Sequence, residues 1–559
     1  MTKTRREFLQ FFGLSTLAIS SVSGLSLLTS CSHSNVLSDS PDVSSSSPNI
    51  TSLKNLGWSP IAPSLEDKLI LSAGLEYSVL AKWQDQIGGT AKNPLRFGTH
   101  ADFTSFIPFD ASNPSEGILL VNHEYLKPLF VSGFANDNIL KKTRAQVEAE
   151  IKTVGASLLH IKKENGKWSV VADSKHNTRF DGSSPIPLIS QHPIAGSKMA
   201  FGTMANCAGG KTPWNTFLTC EENYDMYYGE WEKIPRGDAR PVVTYHAKDF
   251  GWYQHFDRPP LHYGWVVEIN PVTKKAKKLT ALGRFAHEGA TCVKAKDGRT
   301  VVYMGDDDTN ECIYKFISAR ADSLETGTLY VANTETGKWL PLTLDSHPDF
   351  KKVFRNQTNL LVQTRKAAAM VGGTPQDRPE DIEINPANGD VIVALTNNKK
   401  KNRAHGSLLK ISEKNADHLA MEFTASTWIS GGEASGLSSP DNMAFDKAGN
   451  LWVTTDRAEA EMKNDYYKKF MNNGLFYIPM KGENAGQIFQ VASAPVDAEF
   501  TGPTFSPDGE TLFLCVQHPG DSTKKLGEFT SNWPSGNKSD MPKSAVVTIQ
   551  GPLLQQLTT

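Results

Sequence analysis

Ser439-Pro440-Asp441-Asn442-Met443-Ala444-Phe445-Asp446-Lys447-Ala448-Gly449-Asn450-Leu451-Trp452-Val453-Thr454-Thr455-Asp456 reads as a hairpin with chemistry at its open end. A polar motif leads into a short apolar run, a Gly/Asn/Asp turn, a second apolar run and a closing polar motif. The same design returns from Arg378-Pro379-Glu380-Asp381 through NPANGD to Asn397-Asn398, and from His287-Glu288-Gly289 through KDGR to Asp306-Asp307-Asp308. It returns again from Gly502-Pro503-Thr504 through SPDGE to Gln517-His518. Two looser copies precede these, over 204–223 (ending in FLTCEEN) and 110–125 (ending in ILLVNHEY). In an antiparallel hairpin the start of the first strand lies beside the end of the second. Both polar motifs of each unit therefore share one edge.

Six such units predict an all-β fold, a six-bladed β-propeller with helical and loop insertions. Roughly 80 residues per blade, against about 40–45 for a minimal four-stranded one, leave room for those insertions. A sandwich or β-helix is the alternative, and the regular spacing of the units favours the propeller. Helical patterning is sparse, at 140–154 and 458–472. The Tyr-, Trp- and charge-rich stretch 223–261 reads as a long loop over one face.

Charge is nearly balanced, with 58 Lys+Arg against 60 Asp+Glu, so nothing global points to nucleic acid as a partner. The N-terminus reads as an address. Arg5 and Arg6, within TRREFLQ, resemble a twin-arginine export motif ahead of an apolar stretch, and Leu28-Thr29-Ser30-Cys31 resembles a lipobox that would lipidate Cys31. Residues 1–31 are thus expected to be a signal read by the twin-arginine translocase. Residues 32–50, rich in Ser and Pro, would form a flexible tether, and 51–559 a single propeller domain. The expected location is periplasmic or cell-surface, held to a membrane by lipid.

The shared edge collects Asn122, Glu124, Cys220, Glu221, Glu222, Glu288, Asp306, Asp307, Asp308, Glu380, Asp381, Asp441, Asn442 and Asp456. So many carboxylates cannot crowd one cavity as bare anions. Either many face solvent or multivalent cations hold them together. Clusters of oxygen donors suit calcium. Cys220, directly before Glu221-Glu222-Asn223, is a thiol that a metal would have to deprotonate, and soft sulfur suits a transition metal. Cys292, Cys312 and Cys515 lie in or beside apolar runs and read as core. Arg378, two residues before Glu380, offers a planar fork for a phosphate oxygen pair. No convincing Ser–His–Asp arrangement or GxSxG elbow is present.

NCAGGKTPWNTFLTCEENY (206–224), GRFAHEGATCV (283–293), YMGDDDTNECIYKF (303–316), RPEDIEINP (378–386) and SPDNMAFDKAGNLWVTTD (439–456) together resemble the PhoX family of bacterial alkaline phosphatases. The resemblance runs from about residue 57 to near 550. It implies hydrolysis of small phosphate monoesters outside the cytoplasm, at a cluster of Ca2+ and Fe3+ in one mouth of the propeller. It implies Cys220 as the thiolate ligand to iron, and Glu288, Glu380 and Asp441 as carboxylate ligands. Arg378 would contact the substrate phosphate, and Asn122, Glu124, Glu222, Asp306 and Asn442 would complete the metal set. A calcium-dependent propeller lactonase or esterase would use calcium at the same mouth without needing Cys220 or Arg378, and a non-enzymatic lipid-anchored binding propeller would keep its metals as structure alone.

Overall fold

The computed structural model describes residues 57–136, 138–230, 250–458, 462 and 466–559. Arg5, Arg6, Cys31 and the 32–50 stretch lie outside them. Six sheets, almost wholly antiparallel, follow one another around a ring. Their innermost strands are Ala101–Asp110 (blade one), Asn206–Lys211 (two), His287–Lys294 (three), Pro379–Ile384 (four), Pro440–Phe445 (five) and Glu499–Phe505 (six). Each inner strand meets the next, and the sixth returns to the first. There Thr504 Oγ1 donates to Thr104 O at 2.6 Å and Thr104 Oγ1 to Gly502 O at 2.7 Å.

The ring is clasped from the N-terminal side. Glu76–Lys82 forms the outermost strand of blade six against Ala545–Gln550, and Ile70–Leu71 does the same for blade five against Phe489–Ser493. Opening the ring therefore means breaking strand pairs as well as blade contacts. Apolar side chains alternating along each strand meet between blades. Leu218, Val266, Val302 and Phe316 share one cluster, Tyr303, Ile317, Val393 and Ile411 a second, and Phe106, Leu119, Phe513 and Val546 a third that joins blade six to blade one. Each such side chain, wholly buried, stabilises the fold by about 1.5–3 kcal/mol.

Turn chemistry sets the hairpin registers. In blade five, Gly449 takes φ 85°, and the Asp446 carboxylate accepts from Asn450 N and Trp452 Nε1, both at 2.9 Å. Two units start earlier than their sequence motifs suggest. Blade one opens at Ala101, so residue 110 is its turn, and blade six opens at Glu499 rather than Gly502.

Among the insertions, a helix at Arg144–Ile151 stands inside the expected 140–154, begun by a capping box between Thr143 and Gln146. Helices Gln357–Val362 and Thr364–Val371 were not anticipated. Of the second expected helix, 459–461 and 463–465 lie outside the described residues, and 466–470 are turns. The flanks of the 223–261 stretch pack Tyr224, Tyr227, Tyr228, Phe250 and Trp252 into one aromatic cluster with Leu126 and Met204.

Candidate metal centre

All six inner hairpins carry the same irregularity at the same place. The register slips between Ala101/Thr104, Asn206/Gly209, Glu288/Thr291, Pro379/Ile382, Pro440/Met443 and Thr501/Thr504. In each case three steps on the inner strand answer two on its partner, which is a β-bulge, and bulges re-aim side chains. The residue after the last pair before the slip is Asp102, Cys207, Gly289, Glu380, Asp441 or Gly502 in blades one to six. Four of the six donate polar side chains from one structural position. The residue ahead of that pair is also unusual in four blades: His100, Ala205, Arg378 and Ser439 have φ of 44°, 52°, 57° and 56°. Left-handed backbone at a non-glycine residue costs about 1–3 kcal/mol and persists where surroundings over-determine it.

The re-aimed side chains converge. Asp102, Glu124 and Cys207 form one group of potential ligands, Cys207, Glu222 and Glu288 a second, and Glu288, Glu380 and Asp441 a third; within each, the donor atoms lie within 4.8 Å of one another. Cys207 belongs to two groups and Glu288 to two, so the three groups form a chain with shared corners. The Cys207 sulfur lies within 4.8 Å of carboxylate oxygens of Asp102, Glu124, Glu222 and Glu288. Burial pushes the carboxyls of Asp102, Glu222, Glu288, Glu380 and Asp441 well above the usual range, with neighbouring acids adding to it. It raises the Cys207 thiol in the same way.

The unpartnered atoms identify what the cavity accommodates. Asp102 Oδ1, Asn122 Oδ1, Glu288 Oε2, Glu499 Oε2 and Gln517 Oε1 are buried without a hydrogen-bond partner. Every one is an acceptor position, and each buried unsatisfied polar group costs about 1–3 kcal/mol. A hydrogen-bond donor would be one remedy. Cations answer all of them together with the mutual repulsion of the acids, so the residues fit a metal cluster.

Arg378 stands at the rim. Its Nε donates to Asp307 Oδ1 at 2.9 Å and its Nη2 to Asp307 Oδ2 and Glu380 Oε1, both at 2.7 Å. Asp456 Oδ2 lies 3.5 Å from the same nitrogen. Thr396 Oγ1 donates to Glu380 at 2.8 Å, fixing that carboxylate from behind. Asn442 sends Nδ2 to Glu288 at 3.3 Å and accepts from Gly502 N at 2.8 Å, so it braces blades three, five and six. Asn122 gives Nδ2 to the carbonyls of Cys207 and Ala208 at 2.6 and 3.0 Å, holding the blade-two bulge while Oδ1 is left over.

Three expectations need correction. Cys220 packs in an apolar cluster with Leu218, Val266 and Met304, outside the three ligand groups; the thiol among the carboxylates is Cys207, across the same hairpin. Asp306 is engaged by Arg365, whose Nη2 and Nε lie 2.6 and 2.9 Å from its oxygens, and it also accepts from Ala286 N. Glu221 turns away to Lys278 Nζ at 2.6 Å. Of the other acids on the edge, Asp381 caps the backbone of Ile382 and Met443, and Asp308 Oδ2 lies 3.5 Å from Arg365 Nη1. Cys207 escapes sequence reading because the bulge breaks the alternation that would place it, and Asp102 and Glu499 because their units open earlier than the sequence motifs suggest. Superposing the six hairpins at their slips is the signal that finds the first two.

A family model for the alkaline phosphatase PhoX matches residues 56–520. Pseudomonas fluorescens PhoX, in complex with the transition-state analogue vanadate, is similar with a TM-score of 0.76 and 28% identity, over 89% of this chain and 98% of that one. A Dyadobacter fermentans protein of unknown function (TM-score 0.40, 10% identity, 86% and 100% covered) lies far below that likeness. So does a Xanthomonas campestris gluconolactonase (TM-score 0.31, 9% identity, 86% and 99% covered). No curated protein matches the chain in sequence. A ring of six blades, a cluster of acids around one thiol and a family match over most of the length converge on one conclusion: the chain belongs to the PhoX family of alkaline phosphatases and is a metal-dependent phosphatase.

Proposed function

We propose that the chain hydrolyses small phosphate monoesters outside the cytoplasm, with calcium and iron as its metals. The observation that carries this reading is the run of three ligand groups joined through Cys207 and Glu288. Its oxygen-rich ends suit calcium, and the single sulfur suits iron over calcium. Asp102, Glu124, Cys207, Glu222, Glu288, Glu380 and Asp441 would hold the ions, with Asn122 Oδ1 within the same wall. When bound, the ions supply positive charge to the phosphoryl oxygens and acidify water.

The chain's own residues do the positioning. Asp307 and Glu380 hold the Arg378 fork through Nε and Nη2, which leaves Nη1 as the donor not committed in those bonds. Such a fork aligns a phosphate against the cluster, the kind of positioning that phosphoryl transfer chiefly asks for. That Pseudomonas fluorescens PhoX forms a complex with vanadate, a transition-state analogue, supports phosphoryl transfer as the reaction class. Export by the twin-arginine translocase through Arg5 and Arg6, and lipid attachment at Cys31, are supported by the leader motifs alone.

Elemental analysis of protein from its own export route, alongside turnover of p-nitrophenyl phosphate and of a lactone, tests the proposal. Calcium and iron in each chain with phosphoester turnover is the expected result. A metal-loaded protein that opens the lactone and spares the phosphoester would overturn it. Cell fractionation and the mass of the mature N-terminus test the location and the lipid.

A further inference from the structure

Three successive acids, Asp306-Asp307-Asp308, stand at the end of the second strand of blade three, Thr300–Asp306, and two arginines divide them. Arg378 takes Asp307 with a two-point grip, Nε to Oδ1 at 2.9 Å and Nη2 to Oδ2 at 2.7 Å. Arg365 takes Asp306 in the same way, Nη2 to Oδ1 at 2.6 Å and Nε to Oδ2 at 2.9 Å. Its Nη1 lies 3.5 Å from Asp308 Oδ2, and its Nε 3.8 Å from Glu311 Oε1. All three nitrogens of Arg365 thus face acids of this one segment. Paired N–H···O bonds fix orientation as well as charge, which a single ammonium does not.

Both sides of the Arg365–Asp306 grip are anchored. Arg365 belongs to the inserted helix Thr364–Val371, whose first residue is wholly buried. Thr364 Oγ1 accepts from Arg284 N at 3.1 Å and donates to Leu361 O at 2.6 Å. Asp306 is wholly buried too, and its Oδ1 also accepts from Ala286 N at 3.1 Å. Beyond Asp308 the segment is joined to the chain that leads into Arg378. Asn310 N donates to Gln376 O at 2.9 Å, Gln376 N donates to Glu311 O at 2.8 Å, and Thr309 bridges Asp377. The segment therefore carries the acid that holds the arginine fork, and it also pairs with the residues just ahead of that fork. Arg378 itself has left-handed backbone, which persists only with such support.

We propose that Arg365 is a positioning residue for Arg378. By fixing Asp306 it sets the 306–311 segment, so that Asp307 presents both oxygens to the fork and Arg378 Nη1 is left to meet a phosphate oxygen. Arg365 touches no substrate, because its own nitrogens are turned to acids. The inference rests on the phosphomonoester reading above and adds the residue that orders the anion-binding arm of that site. Without the two-point grip, buried Asp306 loses its alignment, the segment shifts, and the fork moves with it. A displacement of about 1 Å in such an arm costs up to about 10²-fold in rate.

A double-mutant cycle on the metal-loaded protein tests this, read by calorimetric binding of orthophosphate and by turnover of p-nitrophenyl phosphate. Arg365→Lys keeps the charge and loses the two-point grip. We expect it to raise the Kd for orthophosphate and the KM for the ester by about 10-fold, with kcat lowered less and metal content intact. In an Arg378→Lys background the same change should add less than about 2-fold to either constant, because the residue it acts through has gone. Asp306→Asn keeps an acceptor for Ala286 N, weakens the grip on Arg365, and carries the same cycle if Arg365→Lys does not fold. Equal losses in both backgrounds, an unchanged Kd and KM, or a loss of bound metal would each overturn the assignment. Wild-type protein that binds orthophosphate without turning over the ester would break the phosphomonoester reading alone, and the binding arm of the cycle would still decide this inference.

Discussion

Glu413 and Glu288 are buried carboxylates of neighbouring blades, and their surroundings differ in kind. Glu413 Oε1 accepts from Tyr303 Oη at 2.6 Å, Lys315 Nζ at 2.8 Å and Trp339 Nε1 at 3.1 Å. Glu221 is satisfied in the same manner, by Lys278 Nζ at 2.6 Å and by the amides of Gly264 and Trp265. Glu288 has Asn442 Nδ2 at 3.3 Å on one oxygen, no partner on the other, and acids on either side. The first kind is neutralised from within and holds blades together. The second is neutralised only from outside and is therefore a binding site. A buried acid marks function when the fold supplies no counter-charge for it.

Removing the external charge should have the largest effect. Exhaustive chelation is expected to lower p-nitrophenyl phosphate turnover at least ~10³-fold, corresponding to several kcal/mol of lost transition-state stabilisation, and added metal should restore it. Unchanged turnover after prolonged chelation would place the chemistry elsewhere. Next come paired substitutions with opposite consequences. Glu413→Ala strands the buried Lys315 and should destabilise the protein by about 3–5 kcal/mol in urea melts, with kcat per folded molecule little changed. Glu288→Gln should instead lower kcat by about 10²–10³-fold while the metal-free protein keeps or gains stability, because a buried charge has gone. Similar behaviour in the two variants would collapse the distinction between the two kinds of acid.

Cys207→Ser should lower iron content and turnover by about 10–100-fold, whereas Cys220→Ser should leave both in place and cost only packing. The reverse ranking would return the thiolate role to Cys220. Arg378→Lys keeps the charge and loses the fork, and we expect a fall in kcat/KM of about 10-fold or more, read on the same substrate.

The smallest effect is on melting temperature. The cluster acids have raised pKa values in the metal-free fold, so the folded state keeps protons that the unfolded chain has released. Stability of the metal-free protein should therefore fall as pH rises from the ordinary carboxylate range, through about 8 in the case of Glu499, with bound metal flattening the curve. A metal-free protein that melts higher at pH 8 than at pH 5.5 would contradict this sign.

Much of the fold was legible in the chain. Alternation in LWVTT, VIVAL and LFLCV, with Asp446 and Gly449 shaping one turn, specifies inner hairpins at close range, and all six formed. Glu124, Glu222, Glu288, Glu380 and Asp441 were legible as a set, because an antiparallel hairpin brings its two ends together whatever surrounds it. Cys207 was not. Cys220 draws the reading because it stands directly before Glu221-Glu222-Asn223, whereas Cys207 sits in the slip of register after Asn206, which the order of residues does not announce. Arg365 was hidden for another reason: its helix, Thr364–Val371, is an insertion, and its pairing with Asp306 joins residues far apart in sequence.

Periodicity, turn residues and the repetition of one motif act over a few residues, so hairpins, blade number and the acidity of one rim were settled by the order of amino acids. Side-chain direction at that rim came from six slips of register, and the company each acid keeps came from ring closure, both of which exist only once distant strands have paired. Chemistry here depends on which acids lack an internal counter-charge, and that is a property of the assembled ring.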